Sequence, residues 1–288
     1  MGEDGRVGEV RTRRVGGGAL AEIREDRWRR GAYELVVDGT PQSHVDLGDP
    51  RELAFEYVRR MGNVIDRVGD PGAPITAIHL GAGALTLPRY IDATRPRSRQ
   101  QVIELDRELV DFVRAELPWD PQASIRVRYG DARDALRTLP PGLAGSADVL
   151  VVDIFAGAQT PAHVTSVEFY RAAAELLAPD GIALVNIADG PPMRYARSQA
   201  VTLEAAIGPV TLLAEASIVK GRRFGNVVLA ASRGGLPAEW AGPLFGDGPH
   251  PGAVLSGGEL MAFCAGAPIT TDATATGSPA PGRGVFRL

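Results

Sequence analysis

The sequence predicts an α/β protein with a Rossmann-like, mostly parallel sheet, helices on both faces of that sheet, and a small N-terminal antiparallel β appendage. From Pro74 onward, short apolar runs alternate with helical stretches, a pattern typical of βαβ units and a parallel sheet. Before residue 49, short segments instead alternate apolar and polar residues, as strands of a half-exposed antiparallel sheet do.

Composition and periodicity divide the chain into four parts. These are a loose polar tail (1–18), a β-hairpin appendage (19–48), a Rossmann-like domain (49–264) and a Pro/Gly/Thr-rich C-terminal segment over the surface (265–288). In the appendage, Asp38–Gly39 predicts a hairpin turn. Next, Asp49 is the expected N-cap and Pro50 the first residue of a helix whose apolar residues recur to Val68.

The apolar runs after residue 74 predict the strands of the main sheet, and the stretches between them predict its helices. The strands are at 75–80, 101–105, 124–129, 148–155 and 182–188, and the helices near 84–94, 107–117, 132–139, 165–178 and 192–207. Two later apolar runs, 210–219 and 225–232, predict an antiparallel pair at the edge of the sheet.

The composition excludes several classes of protein. A net charge of −4 argues against a protein that binds nucleic acid through an overall positive charge. The single cysteine, Cys264, allows no disulfide within the chain and no multi-cysteine zinc site, and the scattered histidines predict no metal centre. No apolar run reaches the roughly 18 residues of a membrane helix, and the N-terminus lacks the apolar stretch of a secretory signal. We therefore expect a cytoplasmic protein without a membrane partner.

The residues that follow each strand are the candidates for function, because open parallel sheets bind ligands at the carboxyl ends of their strands. Gly81 and Gly83 follow the first strand and would let the backbone turn tightly and approach a ligand closely. Such glycines can equally be structural. The spacing lacks the third glycine of GxGxxG, which favours a nucleoside site over a dinucleotide site.

Carboxylates end the next three strands. Glu104 lies about 20 positions after the glycine turn, where it could accept hydrogen bonds from ribose hydroxyls, whereas Asp106 is better placed to cap the next helix. Asp131 could accept from an adenine amine, with the backbone at Ala132 meeting the ring, or cap a helix, or do both. Asp153 follows four apolar residues, so burial should raise its pKa and suit it to accept a proton or bind a cation.

Two further residues have competing interpretations. His163, on a Gly- and Pro-containing loop at 153–164, could act as an acid or base, or could be a surface or capping residue. Asp189, at the end of the fifth strand, could be a second catalytic carboxylate, or it could form the turn before Gly190.

This series of strand-end residues resembles the spermidine synthase (aminopropyltransferase) family and its actinobacterial spermidine-synthase-like relatives, from about Tyr33 to Ala231. The resemblance places Gln42 at the glutamine of that family's hairpin, Gly81–Ala84 on its GGGDG loop, Glu104 on its ribose-binding acid, Asp131-Ala132 on its adenine-contacting GDA, Asp153 on the first aspartate of its DSxDP loop, and Glu168-Phe169-Tyr170 on its EFY.

The sequence departs from the family on the amine side of the pocket. Ala84 replaces the aspartate that holds the donor's amine, and Ala156 replaces the second aspartate of DSxDP, which would hold a diamine. The family's pocket tyrosine falls on Phe55, or on Tyr57 under a shifted alignment. Because a dication normally needs carboxylates near both ends, these losses argue against putrescine as the acceptor.

The resemblance implies a transferase of the polyamine-biosynthesis type with a methyltransferase-type core. The donor would be S-adenosylmethionine or its decarboxylated form, and an aminopropyl or methyl group would pass to a small-molecule acceptor. Asp153 and Asp189 are the expected catalytic residues, and the donor would be bound by Gln42, Gly81, Gly83, Glu104, Asp131 and Ala132. The β appendage could form a homodimer interface. The alternatives are a non-catalytic nucleoside-binding sensor or pseudo-enzyme and, less favoured, a nicotinamide oxidoreductase.

Overall fold

The structure is a computed structural model that describes residues 10–280, in which a small antiparallel sheet precedes a large mixed sheet flanked by helices. The predicted α/β class is confirmed. Residues 1–9 of the expected tail and 281–288 of the expected C-terminal segment lie outside the described residues.

The N-terminal sheet contains four antiparallel strands in sequential order. They are β1 (Arg11–Arg14), β2 (Leu20–Glu25), β3 (Ala32–Val37) and β4 (Thr40–Asp46). The turn at Asp38 and Gly39 is confirmed, with φ of 47° and 76°. β1 lies inside the expected tail and was missed because it contains no apolar residue. Its pairing with β2 and the position of Arg13 over the Phe112 ring hold this polar strand in place.

The large sheet has the order β12-β10-β11-β9-β8-β5-β6-β7. Its strands are β5 (Thr76–Leu80), β6 (Arg99–Glu104), β7 (Ile125–Tyr129), β8 (Ala147–Val152), β9 (Leu177–Asp189), β10 (Val210–Glu215), β11 (Gly225–Ala231) and β12 (Gly252–Ser256). The strands from β9 to β7 are parallel, whereas β10, β11 and β12 pair antiparallel. The strand order therefore switches direction between β5 and β8.

The expected antiparallel pair, β10 and β11, is present, but its position at the edge of the sheet was wrong. β11 lies between β9 and β10, and β12 pairs with the outer side of β10. Residues 227–231 of β11 are fully buried, which is typical of an interior strand.

Helices cover both faces of the large sheet. They are α1 (Glu56–Ile65), α2 (Thr86–Thr94), α3 (Arg107–Glu116), α4 (Ala132–Leu136), α5 (Val167–Ala174), α6 (Arg194–Ala206), α7 (Ala216–Val219), α8 (Ala241–Gly246) and α9 (Gly257–Phe263). No helix within residues 10–280 is long and apolar enough to cross a bilayer.

The predicted start of the first helix, with Asp49 as N-cap and Pro50 as first residue, was wrong, because α1 begins at Glu56. Asp49 instead accepts a hydrogen bond from the backbone amide of Arg51, at 3.2 Å. Leu53 is buried ahead of the helix, packed so closely against Gly62 that a Cβ there would lie 2.6 Å from its Cδ1. Burying Leu53 beneath the helix therefore competes successfully with extending the helix.

Three apolar clusters position the site. One joins one face of the central strands to α5 and α6, and a second joins the other face to α1 and α2. The third packs Ile23, Leu35 and Val45 of the N-terminal sheet against Ala84 and Leu85, in the loop after β5. The small sheet is thereby held over the carboxyl end of the large one.

Candidate functional site

The carboxyl ends of the parallel strands open into a cavity of about 1040 Å³, at the switch in strand order. Most of the residues singled out from the sequence line it, namely Gln42, Gly81, Gly83, Glu104, Asp131, Ala132, Asp153 and His163. Asp189 is not among its lining residues.

Gly81 and Gly83 form the floor of the cavity with positive φ angles of 98° and 49°. A Cβ on Gly81 would collide with the carbonyl oxygen of Asp153, and one on Gly83 would collide with the Ser43 hydroxyl. Both glycines are therefore required by close packing as well as by their φ angles. They bring the loop after β5 against the end of β8 and against β4.

Glu104 lies partly exposed at the end of β6. One of its carboxylate oxygens accepts from the backbone amide of Ala82 at 2.8 Å, and the other accepts from that of Asp106 at 2.9 Å. Burial raises the pKa of Glu104, and these two hydrogen bonds partly oppose the effect. The carboxylate is thus held beside the glycine loop. Asp106 itself caps α3 through the amide of Leu109, as predicted.

Asp131 caps α4, one of the two interpretations open from the sequence. Its Oδ1 accepts from the backbone amides of Arg133 and Asp134, and its Oδ2 contacts Nε2 of His163 at 2.7 Å. Burial alone would raise the pKa of Asp131, but the hydrogen bonds from His163 and the two amides lower it. The carboxylate is therefore ionised and faces the cavity.

Asp153 is held on two sides at the end of β8. The Tyr57 hydroxyl donates to one carboxylate oxygen at 3.1 Å, and the Asn186 amide donates to the other at 2.8 Å. Burial raises the pKa of Asp153, as the sequence predicts, although the two hydrogen bonds work against this rise. A fixed carboxylate of raised pKa is suited to accept a proton.

Tyr57, not Phe55, contacts the key carboxylate, which selects the shifted of the two alignments open from the sequence. Phe55 precedes α1 as its N-cap residue. Asn186 was not predicted at all. It is only 3% exposed, lines the cavity, and its Oδ1 has no hydrogen-bond partner among the described residues. One polar residue inside the apolar run 182–188 was the signal in the sequence.

Asp189 has the geometry of a capping residue. It is 3% exposed, and its two oxygens accept from the backbone amides of Gly190 and Ala196, each at 2.8 Å. Both oxygens thus serve the turn and the first residues of α6. The catalytic role expected for Asp189 finds no support in this geometry. Both of its oxygens already accept hydrogen bonds from backbone amides, and these buried amides would lose their partners if Asp189 turned toward the cavity.

The two alanines that replace aspartates have different surroundings. Ala84 is fully buried, donates its amide to Ser43 Oγ at 3.0 Å, and does not line the cavity. Ala156 is exposed and lines it. Gln42 donates to the carbonyl oxygen of Gly157 at 3.1 Å and so ties β4 to the covering loop (residues 153–164), which lines the cavity.

Charged side chains of Glu56, Glu215 and Arg223 also line the cavity. Arg223 forms an ion pair with Glu215 and lies 3.8 Å from a carboxylate oxygen of Glu56. Glu34 lines the same cavity, and burial raises its pKa. No group of three or more histidine, cysteine or acidic side chains within residues 10–280 has the arrangement of a metal site.

Comparisons with known proteins identify the family. No family model matches the chain. A polyamine aminopropyltransferase from Chromobacterium violaceum is 28% identical over 149 residues, 51% of this chain and 54% of that protein, so the chain spans about half the length of the curated relatives it matches. A probable spermidine synthase from Corynebacterium glutamicum superposes with a TM-score of 0.82 at 30% identity, covering 91% of this chain and 96% of that one. The chain belongs to the spermidine-synthase-like family.

Membership in the spermidine-synthase-like family confirms the resemblance carried by the strand-end motifs. Human methyltransferase-like protein 13, solved in complex with SAH, matches with a TM-score of 0.52 at 15% identity, covering 66% of this chain and 89% of that one. At this identity the match concerns the fold alone, and it confirms the methyltransferase-type core of the family.

Proposed function

We propose that this protein transfers an alkyl group from S-adenosylmethionine, or from its decarboxylated form, to a small nucleophilic acceptor. The observation that carries the proposal is the setting of Asp153, which Tyr57 and Asn186 hold at the wall of the cavity. Glu104 and Asp131 line the same cavity, so a nucleoside bound to them would lie next to a proton acceptor. Membership in the spermidine-synthase-like family supports the same reaction class.

The nucleoside would bind along the ends of β5, β6 and β7. Glu104 would accept from the ribose hydroxyls, since backbone amides take only part of the hydrogen-bonding capacity of its two oxygens. Asp131 would accept from the adenine amine, with Ala132 against the ring. Gly81 and Gly83 would let the backbone approach the donor, and Gln42 would act through the covering loop.

The chemical step is an in-line displacement. A lone pair of the acceptor attacks the carbon bonded to the sulfonium sulfur, a new bond forms to that carbon, and the carbon–sulfur bond breaks. The bonding electrons return to sulfur, which becomes a neutral thioether. Asp153 takes the proton that the acceptor loses. Because the donor is already activated, the protein contributes mainly alignment and this proton transfer.

The acceptor is not putrescine in this proposal. Ala156 exposes a methyl group where the family has a carboxylate for a diamine. Arg223, which also lines the cavity, already pairs with Glu215, and this pairing reduces the negative charge that a second ammonium would need. A cavity of about 1040 Å³ is at the upper limit of about 300–1,000 Å³ for drug-sized ligands, so donor and a bulkier acceptor fit together.

Calorimetry with S-adenosylmethionine, its decarboxylated form and 5′-methylthioadenosine tests the donor. The protein is then incubated with the donor that binds and with a panel of candidate acceptors, namely amines, phenols and carboxylates, and chromatography identifies the nucleoside product. Methylthioadenosine as product indicates aminopropyl transfer, and S-adenosylhomocysteine indicates methyl transfer. Absence of binding by all three nucleosides would refute the proposal. Binding without turnover across the panel would instead favour the nucleoside-binding sensor.

A homodimer formed through the N-terminal sheet belongs to the same proposal. Trp28, at the β2–β3 turn, is 94% exposed, and Leu20 and Leu47 are also exposed on this part of the chain. An interface would remove these apolar groups from water. Sedimentation of the wild type and of Trp28→Ser tests it, since a monomeric wild type contradicts the prediction.

A further inference from the structure

The hydrogen bonds of Asp131 leave room for one more donor. An ionised carboxylate offers about four lone-pair positions, two on each oxygen. On Oδ1, the amides of Arg133 and Asp134 occupy two, at 2.9 and 3.2 Å. On Oδ2, His163 Nε2 occupies one, at 2.7 Å. The remaining position lies on Oδ2, beside the imidazole, and both residues line the cavity.

The backbone of His163 is held by a second hydrogen bond, in addition to its imidazole contact with Asp131. Its carbonyl oxygen accepts from Nη1 of Arg133 at 2.9 Å, and the same nitrogen donates to Asp272 at 2.7 Å. The second guanidinium nitrogen of Arg133 bonds the other oxygen of Asp272, so this pair is bidentate. The Arg133 guanidinium and the Ser166 hydroxyl lower the pKa of Asp272 to about 2.

The C-terminal segment therefore reaches the cavity through a chain of contacts. Asp272 lies on that segment, Arg133 on α4, and His163 on the covering loop. The segment also fastens this loop through Ser278, which is 1% exposed, accepts from the amide of Thr160 at 2.8 Å and donates its own amide to the Thr160 carbonyl at 3.0 Å.

We propose that His163 determines the base specificity of the donor pocket, and that Asp272 is a positioning residue that acts on it through Arg133. His163 fills the third acceptor position of Asp131, leaving one position directed at a single N–H donor of the ligand. The inference rests on the proposed function, in which Asp131 meets the base of the donor, and adds residues that this function does not require.

The chemistry selects a 6-aminopurine over a 6-oxopurine. The amine of a 6-aminopurine donates to the open position on Asp131. A 6-oxopurine presents a carbonyl oxygen there, and an oxygen facing an ionised carboxylate repels it and leaves both acceptors unpaired. Without the imidazole N–H, the two amides still hold Oδ1, but Oδ2 then has two open positions in place of one and no longer directs a single position at the ligand, so affinity and discrimination both fall.

The test measures Kd by calorimetry for 5′-methylthioadenosine and its 6-oxo counterpart, 5′-methylthioinosine. His163→Phe, which keeps a ring but loses the donor, should bind methylthioadenosine about tenfold more weakly, a change of about 1.4 kcal/mol, and should discriminate less between the two ligands. His163→Gln, which retains an N–H, should recover most of both. Unchanged or tighter binding by His163→Phe would overturn the proposal, since the imidazole would then be irrelevant or a competitor of the base.

Asp272→Asn should weaken methylthioadenosine binding about two- to fivefold and lower the discrimination, with kcat little changed. Asp247→Asn is the matched control, because Asp247 also pairs with an arginine, Arg67 at 2.6 Å. Arg67 contacts the carbonyl of Asn63, which does not line the cavity, whereas Arg133 contacts that of His163, which does. A loss of thermal stability with constant base discrimination in Asp272→Asn would show a merely structural role and overturn its part. If wild-type protein binds neither nucleoside, the proposed function fails as well. Binding with unaltered discrimination in all variants overturns this inference alone.

Discussion

Asp153→Asn separates the reactivity of this carboxylate from its packing. The asparagine oxygen can accept from Asn186, and its amide can donate to the Tyr57 hydroxyl, so the present contacts at 2.8 and 3.1 Å have replacements. Only the capacity to take a proton is lost. General-base catalysis contributes about 10²–10⁴-fold, so kcat should fall by that factor, a barrier increase of about 2.7–5.4 kcal/mol. The Kd for methylthioadenosine should change little.

The same substitution should stabilise the fold at neutral pH. Burial raises the pKa of Asp153 above its unfolded value of 3.8, despite the hydrogen bonds that oppose the rise. The stability contributed by this group is complete below the unfolded pKa and is lost as the pH rises through the folded pKa. Asparagine is neutral throughout. The advantage of the variant in Tm should therefore grow as the pH rises from about 4 through the raised pKa of Asp153, and should then stay constant.

Steady-state kinetics and thermal unfolding at several pH values measure both effects. Asp148→Asn, on the same strand, is the control, because Asp148 accepts from the Thr76 amide at 2.7 Å and does not line the cavity. That variant should lose stability but keep its kcat. Full turnover by Asp153→Asn refutes the assignment of the base, and a Tm difference independent of pH refutes the electrostatic reasoning.

Three further predictions concern the same cavity. Gly81→Ala should lower the free energy of unfolding by about 2–6 kcal/mol, because the new Cβ collides with a carbonyl oxygen at a position of positive φ. Gly142→Ala, where a Cβ meets open space, should leave the stability unchanged, and thermal unfolding by circular dichroism compares the two variants. Glu104→Ala should weaken methylthioadenosine binding by about 1–3 kcal/mol in calorimetry, and unaltered affinity would exclude it as a ribose ligand. Asp189→Asn should lower the free energy of unfolding by about 1–3 kcal/mol, because one backbone amide loses its acceptor, and kcat should not change. A lower kcat with an unchanged Tm would instead support a catalytic role for Asp189.

Most helices and strands of the large sheet could be predicted because their signals are local. Apolar periodicity located β5 to β9, and Asp106 and Asp131 marked the starts of α3 and α4. The misses came where tertiary contacts outweigh such signals. β1 has no apolar residue and depends on its neighbour β2, and α1 starts late because Leu53 is needed in the core.

The candidate site likewise contains residues that the sequence predicted correctly and one that it did not. Strand-end positions predicted that Glu104, Asp131 and Asp153 would line one cavity, since the carboxyl ends of adjacent parallel strands lie at one edge of the sheet. The same rule placed Asp189 with them, but the backbone amides of its own turn occupy both of its oxygens. A strand-end position limits where a carboxylate lies, and it does not specify its hydrogen-bond partners.

By itself, the sequence determined the order of strands and helices from β5 to β10, the carboxylates at the strand ends and the family motifs, because periodicity, capping and motif spacing depend on residues near one another in the chain. Only the tertiary structure decided that Tyr57 and Asn186 hold Asp153, and that Arg133 contacts both Asp272 and the carbonyl oxygen of His163. These partners lie from about thirty to more than a hundred residues apart, so only packing brings their polar atoms within hydrogen-bonding distance.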